Sequence, residues 1–194
     1  MAIPEPAPST RRRSLLLLFL LLSLIGSIGL AYSIMMWKNR NIQRPLDFAF
    51  RIPKGFVHDK APDGLAFDPI LSLRGQVQGN ERRLFVFHGQ IDTFDDPANP
   101  LRGEVLGFYR QLFAAEPEDP IPAVLDGQPA LNAWGILPGE ASFAILRGTI
   151  VNKRQFVAIV YRGEGEPLID DQRIFNAFAG PSFNIITNQP PEKK

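Results

Sequence analysis

The feature that most constrains this chain is an apolar stretch without a single charge, "SLLLLFLLLSLIGSIGLAYSIMMW", from Ser14 to Trp37. At about 1.5 Å per residue, a helix of this length exceeds the roughly 20 residues needed to cross a hydrocarbon core of about 30 Å. Three arginines at 11–13 precede the stretch, and Trp37 followed by Lys38 ends it as an interfacial aromatic and cation do. The stretch therefore predicts a single-pass membrane anchor over residues 14–37.

A cleavable signal peptide is the main alternative, with an apolar region of usually about 7–15 residues that ends in small residues. This run is longer, and "GLAYSIMMW" makes a poor cleavage site, so an uncleaved anchor is favoured. A buried core helix would keep a polar stripe. Three basic residues precede the stretch and five follow it within about 20 residues, so the positive-inside count does not favour an inside N-terminus. Because a tail with three consecutive arginines is hard to export, we expect the following domain to be extracytoplasmic.

The charges divide unevenly between the anchor region and the rest of the chain. The net charge is +1, but residues 45–188 hold 13 Lys or Arg against 18 Asp or Glu, a net of −5. A nucleic-acid-binding protein needs a basic face that neutralises phosphates, so this class is excluded. The chain has no cysteine, which excludes disulfides, thiolate metal sites and thiol nucleophiles.

The remaining sequence divides into a globular part and polar flanks. Residues 1–13 are predicted to be a disordered polar tail, 38–46 a tether, 47–188 one globular domain and 189–194 a second disordered tail. A domain of this size can bury enough apolar area to fold alone.

Strand patterns dominate the globular part. "FAFRI" alternates as a half-buried strand and ends at Pro53-Lys54-Gly55; "FVHDKAPDGLAFDP" is typical of a loop. A hairpin follows with its turn at Gly79-Asn80, and about four further strands come after residue 120, with turns at Asp126-Gly127 and "VNKRQ". The almost continuously apolar segment 155–161 suits a central strand covered on both faces.

Two segments show helical spacing. Leu101, Val105, Phe108 and Leu112 predict an amphipathic helix, and Gly103 and Gly107 each weaken it by about 1 kcal/mol relative to Ala. "LIDDQRIFNAFAG" predicts a last helix with Asp170 or Asp171 at its N-terminus and two phenylalanines, 175 and 178, facing inward. "SFNII" can add a short strand. The fold class is therefore α+β, an antiparallel β-sheet domain flanked by helices.

Several of these segments resemble the PsbP/Mog1-like fold family. "FAFRIPKGF" is similar to the family's leading strand and its Pro-Lys-Gly-aromatic turn, although Phe56 stands where Trp is usual. "GQPALNAWGILPGEASFAILRGTIVNKRQFVAIVYRG" resembles the central strands, and "RIFNAFAG" the closing helix. The resemblance covers roughly residues 45–186 and implies a bacterial, membrane-anchored member. Because the family's members differ widely in function, it implies a cellular setting and no particular chemistry.

Candidate sites for metal ions and catalysis are few. Asp92, Asp95 and Asp96 form the densest carboxylate group and are candidate ligands for a hard cation such as Ca²⁺, but the EF-hand spacing is missing and such runs usually cap the next helix. The two histidines, His58 and His88, lie in separate elements without zinc-ligand spacing. The sequence has no G-x-S-x-G elbow and no phosphate-binding motif.

These patterns predict a membrane-anchored, non-catalytic binding or assembly module of the cell envelope, without a cofactor and with a protein partner. The alternative is a carrier of a small ligand or metal ion, with a cleft between the sheet and the C-terminal helix. An enzyme, which would have to use scattered acids such as Asp92 and Asp96, is the third possibility. Aromatic side chains can line such a cleft, although they more often form the core; they are Trp134, Phe143, Phe156, Phe175 and Phe178.

Overall fold

The computed structural model describes residues 46–94, 96–138 and 141–186, which form nine strands and two helices. The elements are β1 Asp47–Phe50, β2 Phe56–His58, β3 Leu71–Val77, β4 Asn80–Gln90, α1 Pro100–Phe113, β5 Ile121–Leu125, β6 Gln128–Leu137, β7 Ser142–Val151, β8 Gln155–Glu164, α2 Ile169–Phe178 and β9 Phe183–Ile186.

Seven of the strands form one antiparallel sheet in the order β2-β3-β4-β8-β7-β6-β5. β8 lies at its centre, and residues 155–161 of this strand are all buried. An apolar run can occupy this position because both faces of the sheet are covered. The predicted α+β class and the predicted central strand are confirmed.

Two-residue turns close two of the hairpins. Gln78 and Gly79 join β3 to β4, and Asp126 and Gly127 join β5 to β6; all four residues have positive φ angles. Such turns match the right-handed twist of the flanking strands and favour Gly, Asn and Asp. The first turn lies one residue earlier than predicted, because Asn80 already belongs to β4.

One face of the sheet is covered by α1. The helix is 14 residues long and packs Val105 and Tyr109, both fully buried, against β6 and β7. The close approach requires a glycine in β7, since a Cβ atom at Gly148 would lie 2.7 Å from a methyl group of Val105. Asn99 accepts a hydrogen bond from the Arg102 N–H at 3.3 Å and caps the helix. The predicted helix is confirmed.

The opposite face is covered by α2 and by a two-stranded ribbon of β1 and β9. Phe175 and Phe178 of α2 are buried against the sheet, as predicted from their spacing, and Phe183 of β9 packs beside them. The ribbon is separate from the seven-stranded sheet and pairs Asp47 with Ile186. A short strand at "SFNII" is thereby confirmed.

Two sequence-based expectations about the beginning of the domain are corrected. The first strand ends at Phe50 and pairs only with β9, whereas the apolar–polar alternation predicts a strand that continues to Ile52. The segment expected to be all loop contains β2, in which Phe56 is buried and pairs with Gly75 at the edge of the main sheet. Three residues are too few to give a recognisable alternation.

Neither α1 nor α2 has the length and apolar character needed to cross a membrane, and no other helix occurs in the described ranges. The predicted anchor, residues 14–37, and the two predicted disordered tails lie outside the described residues.

Candidate functional site

The N-terminal end of α2 is fixed to the sheet by a buried ion pair. Arg82 of β4 and Asp171 of α2 are both fully buried, with Nε 2.6 Å from Oδ1 and Nη2 3.0 Å from Oδ2. Arg82 also donates from Nη1 to the carbonyl oxygens of Glu81 and Glu164, at 3.0 and 2.6 Å. A bidentate pair of this kind fixes orientation as well as distance.

Two further donors complete the environment of the Asp171 carboxylate. The Tyr161 hydroxyl donates to Oδ1 at 2.8 Å, and the backbone N–H of Leu168 donates to Oδ2 at 2.8 Å. The second bond satisfies one of the N–H groups left free at a helix start. Burial raises the pKa of Tyr161, and the hydrogen bond to Asp171 adds to this shift. The phenol therefore stays protonated and remains a donor.

The C-terminal end of α2 is fixed by a second buried arginine, Arg147 of β7. Its guanidinium donates to the side-chain oxygens of Asn132 and Asn176, each at 2.8 Å, and to the Ala179 carbonyl at 3.0 Å. It also lies over the Phe175 ring, 5.3 Å from the centroid. Desolvation lowers the pKa of Arg147 from its usual value. The carbonyl contact satisfies one of the acceptors that a helix end leaves open.

Between α2 and the outer strands lies an open cleft of about 360 Å³. β5, β6 and β7 supply one wall, and the segment that leads into α2 supplies the other. The lining is mostly apolar, with two amide side chains, and consists of Ile121, Asn132, Trp134, Phe143, Ile145, Pro167, Leu168, Ile169 and Gln172. We call this group the α2 cleft.

The α2 cleft leaves large apolar side chains in contact with solvent. Ile121 is 58% exposed, Trp134 38% and Ile169 75%. Ile136, another exposed residue, lies two positions after Trp134 and therefore on the same face of β6. Several exposed apolar side chains around one hollow are typical of a binding site.

The sheet edge beside the cleft is not suited to adding another strand. β5 is the last strand of the sheet, and Pro122 lies in it. Proline removes a backbone donor, and prolines on edge strands discourage pairing with another chain. The cleft therefore offers side-chain surface for recognition, whereas the backbone of β5 is a poor template.

The predicted acidic group is only partly described. Asp96 accepts hydrogen bonds from the backbone N–H groups of Ala98 and Asn99, at 3.0 and 3.2 Å, and so organises the turn before α1. Asp92 is exposed, and Asp95 lies outside the described residues. Among the described residues no three His, Asp or Glu side chains are grouped so that they could hold a metal ion. The metal site stays a prediction.

The two histidines lie in different strands of the sheet, β2 and β4. His58 is exposed in the edge strand β2. His88 of β4 is half-buried, with its ring 5.6 Å from the Phe48 ring of the ribbon, and burial lowers its pKa. Its Nε2 atom is buried and has no hydrogen-bond partner among the described residues. His58 is thus exposed at the sheet edge, whereas His88 takes part in packing against the ribbon.

The five predicted aromatic side chains separate into three groups. Trp134 and Phe143 line the α2 cleft, whereas Phe175 and Phe178 form the core beneath α2. Phe156 lies on the opposite face, where it borders a smaller hollow of about 200 Å³ beside α1.

Sequence reasoning missed both buried arginines, although a signal was present. Arg82 precedes Leu84 and Val86 at a spacing of two and therefore shares their buried face; Arg147 likewise follows Phe143 and Ile145. The period-two alternation alone predicts that both arginine side chains lie on the buried face of the sheet, where a charge needs a partner.

Comparisons with known proteins give the chain no family. No family model matches it, and no curated protein matches it by sequence. A solved structure similar to it is that of LpqN, described as involved in cell envelope biogenesis of Mycobacterium tuberculosis, with a TM-score of 0.48 and 14% identity. The match covers 73% of this chain and 84% of LpqN. The resemblance to the PsbP/Mog1-like family stays a prediction.

Proposed function

We propose that this chain is a non-catalytic binding module whose recognition site is the α2 cleft. The observation that carries the proposal is the exposure of Ile121, Trp134 and Ile169 around a single hollow. Exposed apolar surface of this extent is costly in water unless a partner covers it.

The chemistry of the lining supports binding over catalysis. The polar members of the cleft are Asn132 and Gln172, whose amides do not exchange protons near neutral pH. The nearby charged groups already have partners and hold α2 in place: Arg82 bonds to Asp171 and to backbone oxygens, and Arg147 bonds to two asparagine side chains and a backbone carbonyl. Their role is to shape the cleft.

The cellular setting forms part of the same proposal. The apolar stretch 14–37 supports a membrane anchor, and a domain held beside a membrane meets its partners at a high effective concentration. We therefore place the domain in the cell envelope, on the extracytoplasmic side, with a protein partner.

A small-ligand carrier is the second candidate, favoured by the size of the cleft. Pockets that hold drug-sized molecules usually have volumes of about 300–1,000 Å³, and the α2 cleft has about 360 Å³. A carrier would retain its ligand after purification, whereas an assembly module would retain a macromolecule.

Site-specific photo-crosslinking in native membranes tests the proposal. A photoreactive amino acid is placed in the full chain at position 121, 134 or 169, and at position 124 as the control. Val124 lies on β5 with 60% exposure, close to the 58% of Ile121, but alternation puts it on the opposite face. We expect discrete protein adducts from the three cleft positions and none from position 124.

Three other outcomes contradict parts of the proposal. Equal labelling at position 124 would mean that the cleft has no special role. A lack of protein adducts at all four positions would contradict the proposal that the cleft binds a protein partner. If native mass spectrometry then detected a small molecule that an Ile121→Ser change displaced, the carrier would take its place.

A further inference from the structure

We infer that a second site on this chain binds a small organic cation of the alkylammonium class. The site is the hollow of about 200 Å³ beside α1, on the face of the sheet opposite the α2 cleft, and we call it the α1 hollow. The inference goes beyond the proposed function and does not depend on what occupies the α2 cleft. It rests on a lining that combines aromatic rings with carboxylates.

Four phenylalanine rings from four chain segments meet at the α1 hollow. Phe108 of α1 is stacked on Phe67 of the loop before β3, with 4.8 Å between the ring centroids. The ring centroids of Phe87 in β4 and Phe156 in β8 lie 5.2 and 5.3 Å from that of Phe108. Phe67 and Phe108 are only half-buried, so a bound group can reach them. The negative face of such a ring attracts an alkylammonium group placed within about 6 Å of its centroid.

Two carboxylates make the α1 hollow negative. Asp68 follows Phe67 directly and is exposed, and Glu104 lies one helical turn before Phe108. Asp68 has no ion-pair partner within the described residues. Among the described residues that line the hollow, none is Lys or Arg. The lining therefore favours a cation and disfavours an anion.

A glycine keeps the α1 hollow open. Gly89 of β4 pairs with Phe156 and lies on the same face as Phe87, because the two faces alternate along a strand. Apart from its chain neighbours, a Cβ atom added at Gly89 would meet no atom within 4 Å. Glycine weakens a strand and often marks a place where a ligand approaches the backbone closely. A larger side chain at position 89 would project into the hollow.

The size and the lining together define the ligand class. A cavity of about 150 Å³ holds a benzene molecule, so the α1 hollow has room for a compact group of this size. A Ca²⁺ ion takes about 6–8 oxygen ligands, more than two carboxylates supply. A neutral apolar molecule would desolvate the carboxylates without compensating their charge. An alkylammonium ion offers hydrocarbon surface to the rings and positive charge to Asp68 and Glu104.

The lining also distinguishes a free cation from a phospholipid headgroup. A headgroup carries a phosphate next to its ammonium group, and Asp68 and Glu104 would repel this phosphate. A free alkylammonium ion carries no such negative charge. The occupant is therefore a free cation.

Binding of three matched probes to the full chain in maltoside micelles tests the inference. The probes are choline, the neutral alcohol in which a carbon atom replaces the nitrogen of choline, and phosphocholine. Ligand-observed NMR titrations give each dissociation constant, with empty micelles as the blank. At about 20 mM salt we expect choline to bind at least about tenfold tighter than either of the other probes.

Three results with these probes would overturn the inference. Equal binding of choline and the neutral alcohol would mean that the charge is not recognised. Tighter binding of phosphocholine would assign the hollow to a lipid headgroup. A lack of saturable choline binding below about 50 mM would mean that the chain has no such site.

Two variants and two matched controls locate the bound cation. Gly89→Val fills the hollow and should abolish choline binding, whereas Asp68→Asn removes one charge and should weaken it by about fivefold or more. Asp63→Asn removes an exposed carboxylate of the same loop that does not line the hollow, and it should leave choline binding unchanged. Trp134→Leu should also leave it unchanged; this control is needed because Trp attracts cations most strongly and Trp134 lines the α2 cleft.

Urea denaturation first shows which variants are folded, and choline binding then decides. Weakening by Asp63→Asn as large as that by Asp68→Asn would assign the affinity to net charge. Loss of binding in Trp134→Leu would move the cation to the α2 cleft. Wild-type affinity in a folded Gly89→Val chain would place the cation outside the α1 hollow. Each of these results overturns the inference, and the comparison of Asp68→Asn with Asp63→Asn remains decisive if Gly89→Val does not fold.

Discussion

α1 is attached to its face of the sheet by aliphatic and aromatic contacts, whereas α2 is attached to the other face by two buried arginines as well as by Phe175 and Phe178. Apolar contacts are not directional, so α1 can settle wherever its side chains pack best. Bidentate and carbonyl-directed bonds fix α2 at both ends. The hollow beside the polar-attached α2, at about 360 Å³, is larger than the hollow of about 200 Å³ beside α1.

The largest expected effect comes from breaking the attachment at the start of α2. Asp171→Ala leaves the Arg82 guanidinium buried without its carboxylate and should cost roughly 3–5 kcal/mol of unfolding free energy. Urea denaturation measures this loss. The double variant Arg82→Met with Asp171→Leu should recover most of it, since matched apolar replacements of buried pairs are often neutral. A single-variant loss below about 1 kcal/mol would show that the pair is not buried as described.

The next largest loss of stability is expected at the C-terminal end of α2. Arg147→Met keeps an apolar stem over Phe175 but leaves the Ala179 carbonyl and two asparagine side chains without their donor. We expect a loss of about 1–3 kcal/mol, because the buried Ala179 carbonyl is left unsatisfied, whereas the more exposed Asn132 and Asn176 side chains can bond to water. Arg147→Lys keeps the charge but loses the several N–H donors of the guanidinium. Its free energy of unfolding should therefore lie between those of the wild type and Arg147→Met. If urea denaturation gives both variants the free energy of unfolding of the wild type, the guanidinium of Arg147 has no structural role.

A smaller effect is expected at the start of α1. Asn99→Ala removes the side-chain cap on the Arg102 N–H and should cost about 1 kcal/mol, whereas Asn99→Asp keeps an acceptor and should cost less. Thermal unfolding of the two variants side by side measures the difference. Equal losses would mean that Pro100 alone sets the start of the helix.

The smallest effect on the free energy of unfolding is expected at Tyr109 of α1. Its hydroxyl is buried without a partner among the described residues and lies close to Gly135, so Tyr109→Phe should be neutral or stabilising by up to about 1 kcal/mol. The change preserves the ring and its contact with Phe113. A loss of more than about 1 kcal/mol would mean that the hydroxyl is satisfied by a bound water.

Tyr109 also predicts a pH dependence. Burial raises its pKa from 10.0 to about 12, so between these values the unfolded chain releases a proton that the folded chain keeps. Stability is therefore fully present below pH 10 and falls as the pH rises towards 12. Denaturation at several alkaline pH values should show a shallower fall in Tyr109→Phe, with Tyr161 responsible for what remains. If the free energy of unfolding of Tyr109→Phe fell with pH as steeply as that of the wild type, the pH dependence could not be assigned to Tyr109.

The parts of the fold with regular patterns could be predicted, and those that depend on distant pairing could not. The spacing of Leu101, Val105 and Phe108 revealed α1, and the apolar run 155–161 revealed the central strand. Pairing of β1 with β9 joins residues almost a full domain apart in sequence, and no local pattern encodes it. The same holds for the candidate site: the sequence indicates Trp134 as a possible lining residue, but its proximity to Ile169 depends on where α2 docks.

The β1–β9 ribbon has a mechanical consequence. Its register places Asp47 opposite Ile186 and Phe50 opposite Phe183, so the first and last strands of the domain run side by side in opposite directions. Tension applied between these two ends would act along the hydrogen-bonding direction of the ribbon and peel its four residue pairs apart one after another. The seven-stranded sheet would bear load only after the ribbon had opened, so the ribbon is the first element of the domain to give way under such tension.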